Sequence, residues 1–268
     1  MPTIVLRYGE IWLKGLNKSF FEDRFIKNIK FLLKKNNIEY DIKNLRARIL
    51  LKVDKKVPDL KRVFGITSYS YAKEIDLDLK KIKKEVLKLC KKGKTFRITT
   101  KRLSKDIALS SQEINEIVGD FVVKKLKLKV NLKNAEQDIF IEILNKKAYL
   151  FDDKKDTIEC FGGLPVGVSG LCTLILDNKN SILAGIMMLK RGCSLEIIRD
   201  KKISYKKLEI FSSGTKIKEV KHYSDYSYAV VDAGTLKNFK ERNYRKMALR
   251  PLINLSQEDI DKKLKYFC

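Results

Sequence analysis

The chain has 268 residues, with 58 lysines and arginines against 33 aspartates and glutamates, and 44% hydrophobic residues. That is enough apolar material for cores in two or three modest domains. A net charge of +25 means self-repulsion unless a polyanion is often close by, and nucleic acid is the polyanion it points to; a lysine-rich proteome that fills solvated faces is the plainer reading.

Residues 4–8 alternate like a strand, and from Ser19 the spacing turns helical, with Phe21, Phe25, Ile29 and Leu32 on one face. Ser19 followed by Glu22 reads as a capping box at that helix start. A short strand over 47–53 completes a strand–helix–strand block. Next, Leu79, Ile82, Val86 and Leu89 predict a helix and residues 96–100 a strand. A helix over about 111–126 follows, with Ile114, Ile117, Val118, Phe121 and Val122 on its apolar side and Ser110 with Glu113 as a second capping box. Ile139, Ile141 and Ile143 mark an alternating strand that pairs with 149–151, and the charged run 152–156 is expected as a hairpin tip or exposed loop.

Residues 162–167 (GGLPVG) are a dense cluster of turn formers, expected as a domain boundary or a fixed turn. Beyond them the pattern reads strand 171–176, helix 180–191, strand 194–199, an irregular region to about 225 and strand 228–232. A helix near 235–247 and a C-terminal helix from Ser256 end the chain. Two strand–helix–strand passes imply a small parallel sheet, so the fold class is α/β with an α+β N-terminal part. No repeat or low-complexity tract is visible.

No run of about 18 apolar residues occurs, so no membrane span is predicted. The opening residues lack a signal-peptide layout, and a cytoplasmic protein is expected. The five cysteines include no C-x-x-C pair, and His222 is the sole histidine. A zinc site or local redox pair is therefore not expected, and the thiols are read as packing groups. No catalytic or metal-binding residue is assigned.

Several stretches resemble one family. Arg7-Tyr8-Gly9-Glu10-Ile11-Trp12-Leu13-Lys14-Gly15-Leu16-Asn17 resembles the opening of the tRNA sulfurtransferases that make 4-thiouridine. Val63-Phe64-Gly65-Ile66, Phe96-Arg97-Ile98 with Lys101-Arg102, and Ser111-Gln112-Glu113-Ile114 resemble their THUMP domain. Residues 162–167 with Ser169-Gly170 resemble the junction before their catalytic domain. The likeness is continuous over about 1–192 and faint afterwards. It implies a ferredoxin-like domain (1–55), a THUMP RNA-binding domain (56–165) and a PP-loop ATP-pyrophosphatase-like domain (166–268). In the family the first two grip tRNA, mainly its acceptor end. The third adenylates a uridine oxygen with ATP and delivers sulfur from a cysteine persulfide.

The chain departs from that pattern at the phosphate loop, S-G-G-x-D-S in the family. Aligning Asn180-Ser181 with D-S sets Leu176-Asp177-Asn178-Lys179 over S-G-G-x, so only Ser181 survives. Both glycines are lost where backbone must approach an anion, and Asp177 adds like charge; Lys179 could hold a phosphate only as a point charge. Neither Cys193 nor Cys268 matches the family's sulfur-carrying cysteine, and a middle part of the last domain is missing. The degenerate nucleotide loop is Asp177, Asn178, Lys179, Asn180 and Ser181, and no cofactor is expected.

The candidate RNA-binding residues are Arg7, Lys14, Arg97, Lys101 and Arg102, as phosphate contacts. Trp12, Tyr69 and Tyr71 are read as core aromatics before base-stacking ones. The leading expectation is a tRNA-binding protein without ATP chemistry, partner to a modification enzyme or sulfur donor; a homodimer remains open. The alternative is a divergent tRNA sulfurtransferase that uses ATP to form 4-thiouridine.

Overall fold

The computed structural model describes residues 3–45, 48–199, 202–238 and 244–267, excluding the side chains of residues 12–14. In chain order the elements are β1 (Thr3–Tyr8), α1 (Lys18–Lys35), β2 (Tyr40–Asn44), β3 (Ile49–Val53), β4 (Ile66–Asp76), α2 (Leu79–Leu89), β5 (Phe96–Arg102), α3 (Ser111–Leu126), β6 (Gln137–Leu144) and β7 (Lys147–Asp152). There follow α4 (Asp153–Asp156), β8 (Thr157–Glu159), β9 (Leu171–Leu176), α5 (Ser181–Lys190), β10 (Ser194–Arg199), α6 (Lys206–Phe211), β11 (Lys218–Glu219), β12 (Ser227–Val231), β13 (Met247–Leu249) and α7 (Gln257–Phe267).

These elements form two compact units that share the chain in alternating pieces. One holds residues 1–7, 38–56 and 68–159; the other holds 8–37, 57–67 and 160–268. The N-terminal strand–helix–strand block is therefore divided, with its strands in the first unit and α1 in the second.

The first unit is built on a sheet of order β2-β3-β1-β4-β7-β6-β5, with β8 paired to β4. β5 and β6 run parallel, joined by α3, while β6 and β7 form an antiparallel hairpin. Isoleucines 139, 141 and 143 face a core with Ile82 and Val86 of α2 and Ile114, Val118 and Val122 of α3. That is the arrangement their spacing of two along β6 and of three or four along the helices predicts. The Ser110 capping box is present: its Oγ accepts from Glu113 N at 3.1 Å and its N–H donates to Glu113 Oε2 at 2.7 Å.

The second unit carries a wholly parallel sheet of order β11-β10-β9-β12-β13. Leu174 and Leu176 of β9 and Leu195 and Ile197 of β10 pack with Leu183, Ile186 and Leu189 of α5. The glycine cluster is a fixed turn against the C-terminal end of α5. The Gly192 carbonyl accepts from the N–H groups of Gly167, Val168 and Ser169 at 2.8, 3.0 and 3.0 Å. At Gly163, φ is +81° and a Cβ would collide with the Lys190 carbonyl oxygen, so only glycine fits.

Four expectations are corrected. Ser19 caps nothing: α1 starts at Lys18, and the Glu22 carboxylate accepts instead from the Tyr8 hydroxyl at 2.8 Å. The run 152–156 is not a loop. Asp152 accepts from Lys154 N and starts the single turn α4, and Thr157 donates to Asp153 at 2.7 Å. The irregular region before 225 contains α6 and β11. Among the described residues of 235–247 there is no helix. Thr235–Asn238 form a turn closed by Asn238, whose Oδ1 accepts from Thr235 N and Oγ1 at 2.9 Å each, and Met247 opens β13; residues 239–243 lie outside the described residues.

Candidate nucleic-acid interface

Three of the arginines and lysines expected at phosphates hold the protein's own carboxylates or carbonyls. Arg7 on β1 is 14% exposed and grips Glu142 of β6, donating from Nε at 3.1 Å and NH2 at 2.8 Å. It also donates to Ser70 Oγ at 2.8 Å and lies 5.0 Å above the Phe151 ring. Arg48 closes the other side of the same carboxylate, from Nε to Oε2 at 2.8 Å. Burial pushes the Glu142 carboxyl up, but the two guanidiniums outweigh that and hold it below its ordinary value.

Arg97 on β5 makes a similar pair with Asp138, which is 2% exposed and also accepts from Thr99 Oγ1 at 2.8 Å. Arg102 donates to the carbonyls of Ile107 and Leu109 at 3.2 and 2.5 Å and so ties down the segment leading into α3. Lys101, by contrast, is exposed, its ammonium 5.2 Å from the Phe140 ring. Other exposed lysines stand at positions 80, 81, 84, 88, 91, 92 and 94. Lys14 lies in a 3₁₀ segment, and its side chain, like that of Trp12, lies outside the described residues. Tyr69 is buried, and its ring meets Tyr71 edge-on at 5.8 Å.

Glu142, Arg48 and Asp138 were not singled out in the sequence, although a signal for the acids is there. Asp138 and Glu142 fall on the strand face opposite Ile139, Ile141 and Ile143, and an acid inside an apolar strand needs a cation.

In the second unit, the turn from β9 into α5 is closed on itself. Asn178 N donates to Ser181 Oγ at 3.4 Å, Asn180 N to Asn178 Oδ1 at 2.8 Å, Ser181 N to the Asn178 carbonyl at 3.2 Å and Ile182 N to the Lys179 carbonyl at 3.3 Å. Ser181 Oγ donates to Asp177 Oδ1 at 3.1 Å. The Asn180 amide exchanges hydrogen bonds with Gln257 of α7 at 2.9 and 3.3 Å. Side chains of the turn thus take the N–H groups of Asn178 and Asn180, and its carbonyls take those of Ser181 and Ile182 at the start of α5; Lys179 is exposed. No group of three or more histidines, cysteines, aspartates or glutamates able to hold a metal occurs among the described residues, and none of their helices is long and apolar enough to cross a membrane.

Residues 3–70 match the ThiI ferredoxin-like domain and residues 69–153 the THUMP domain. A probable tRNA sulfurtransferase of Methanocaldococcus jannaschii is 37% identical over 271 residues, covering 90% of this chain and 68% of that protein. The chain belongs to the tRNA sulfurtransferase family. A second relative, from Caldanaerobacter subterraneus subsp. tengcongensis, is 38% identical over 207 residues, covering 73% of this chain and 52% of that protein. The chain spans about half the length of that family member. Among solved structures, PH1313 from Pyrococcus horikoshii superposes with a TM-score of 0.84 at 27% identity over 99% of both chains. A 4-thiouridine synthetase in complex with RNA and ATP superposes at 0.78 and 23% identity, over all of this chain and 85% of that one, and shares its fold.

Proposed function

We propose that this protein binds tRNA and does not itself carry out ATP-dependent thiolation of it. The observation that carries the reading is the 177–181 turn, where the N–H groups of Asn178, Asn180, Ser181 and Ile182 go to the turn's own side chains and carbonyls and no glycine lets a phosphate approach. Breaking such an array to admit an anion next to Asp177 exchanges satisfied hydrogen bonds for like-charge repulsion. The THUMP match, the net charge of +25 and the exposed Lys101 support the RNA half of the proposal. In this reading the chain presents tRNA to a modification enzyme or sulfur donor, alone or as a homodimer.

Filter binding of tRNA between about 50 and 200 mM salt tests it, because phosphate contacts make affinity fall steeply with salt. Absence of binding, or binding indifferent to salt, overturns the RNA half. Saturating ATP is expected to leave the melting temperature unchanged, whereas a ligand at a hundred times its Kd stabilises a fold by about 2.7 kcal/mol.

The names of the relatives favour a second reading, a divergent tRNA sulfurtransferase with an altered ATP site. It requires 4-thiouridine to form in tRNA incubated with the protein, ATP and a persulfide donor. Mass spectrometry of the digested tRNA decides between the two.

A further inference from the structure

The parallel sheet has two unlike faces. Leu174 and Leu176 of β9 and Leu195 and Ile197 of β10 lie in the core beneath α5. Side chains alternate along a strand, so Thr173, Ile175, Glu196 and Ile198 belong to the opposite face. On that face a cavity of about 840 Å³ opens, with Ile175 and Ile198 in its lining. No residue of the 177–181 turn lines it. Its size falls within the several hundred cubic ångströms typical of small-molecule clefts.

The charge of the lining is one-sided. Arg199, Lys221, Arg245 and Lys246 face a single carboxylate, Asp225, and Tyr223 and Tyr244 add two aromatic rings. Two of the cations are engaged. Lys246 Nζ donates to the Ser224 carbonyl at 2.7 Å and also to that of Ser227; Arg199 pairs with Glu219 at 2.5 Å and lies 5.3 Å from the Tyr205 ring. Lys221 and Arg245 are exposed. The wall that carries Tyr223 is pinned to the sheet. Glu196, 5% exposed, accepts from Thr173 Oγ1 at 2.6 Å and from Ser224 N at 3.0 Å. A wall held in place before binding spares the ligand much of the ordering cost.

We infer that this cavity takes an unpaired ribonucleotide of a bound RNA strand, with phosphate against Lys221 and Arg245 and the base against Tyr223 or Tyr244. The inference rests on the RNA-binding reading above. Cations bordering aromatic rings are the combination that single-stranded RNA uses, since any base has a face to stack and each linkage a charge to neutralise. A free triphosphate asks for convergent amides or a carboxylate-held divalent cation, and Asp225 is the sole acid in the lining.

The test is photocrosslinking of the full chain to tRNA that carries 5-iodouridine, with the linked peptides mapped by mass spectrometry and tRNA affinity measured by filter binding. Crosslinks on residues 221–225 or 244–246 are expected, together with a loss of about tenfold in affinity at low salt for the Lys221→Glu, Arg245→Glu double variant. Tyr223→Ala, which alters no charge, is expected to lose the crosslink while keeping most of the affinity. Crosslinks mapping only elsewhere, or a double variant that binds like the unmodified protein, overturn the inference and leave the RNA reading intact. Millimolar ATP that abolishes the crosslink without releasing the tRNA overturns it too, because the cavity is then a free-nucleotide site. If the unmodified protein binds no tRNA, the parent reading fails and this inference falls with it.

Discussion

The two sheets carry their charge in different places. In the first unit, three arginines are drawn to buried acids: Arg7 and Arg48 clamp Glu142, and Arg97 clamps Asp138, while lysines such as Lys101 stay outside. In the second, the face toward α5 is apolar and four cations stand around the cavity on the other face. The contrast teaches that a large positive charge does not by itself locate a binding surface. A guanidinium makes several hydrogen bonds in a fixed plane and suits a buried carboxylate, whereas an ammonium on a flexible stem is more strongly hydrated and stays in water. Among the basic residues of the first unit, the lysines are therefore the ones to test for RNA contact.

The sharpest way to break this comparison is Glu142→Gln. If Arg7 and Arg48 are structural, two half-buried guanidiniums are left without their counter-charge, and urea unfolding is expected to show a loss of about 3–5 kcal/mol. Acid should reveal the same group. Its folded pKa lies below the ordinary 4.5, so its contribution is complete above about pH 4.5 and is lost as pH falls through the lower folded value. The acid limb of a stability profile should be shallower in Glu142→Gln than in the unmodified protein.

Lys101→Glu tests the other half. It is expected to weaken tRNA binding by about tenfold and to lower the salt slope by about one, with urea unfolding unchanged within about 0.5 kcal/mol. Stability loss without loss of affinity would place Lys101 with the structural arginines. Smaller effects separate the two capping-box signatures. Ser110→Ala should cost about 1 kcal/mol, since its hydroxyl accepts from Glu113 N, while Ser19→Ala should stay within about 0.5 kcal/mol. Equal effects would contradict the two helix starts described above.

Much of this protein is legible in its sequence because the signals are local. Spacings of two and of three or four mark β1, β3, β5, β6, β7, β9, β10, β12 and the long helices, although not β2, β4, β8, β11 or β13; the Ser110 and Glu113 pair marks a helix start, and the glycines of 162–167 mark a turn. That the 177–181 turn lacks glycine was equally legible, because it concerns five consecutive residues. Other features depended on partners far along the chain. Ser19 and Glu22 have the spacing of a cap, yet Tyr8 takes Glu22. Arg7 resembles a phosphate ligand until Glu142, 135 residues later, is set beside it. The division of the first 55 residues between two compact units, and the basic cavity assembled from β9, β10 and the segments 221–225 and 244–246, belong to this second class. Local periodicity records which face of an element is apolar, but which charge meets which is decided only when the chain brings distant residues together and burial makes every unpaired charge costly.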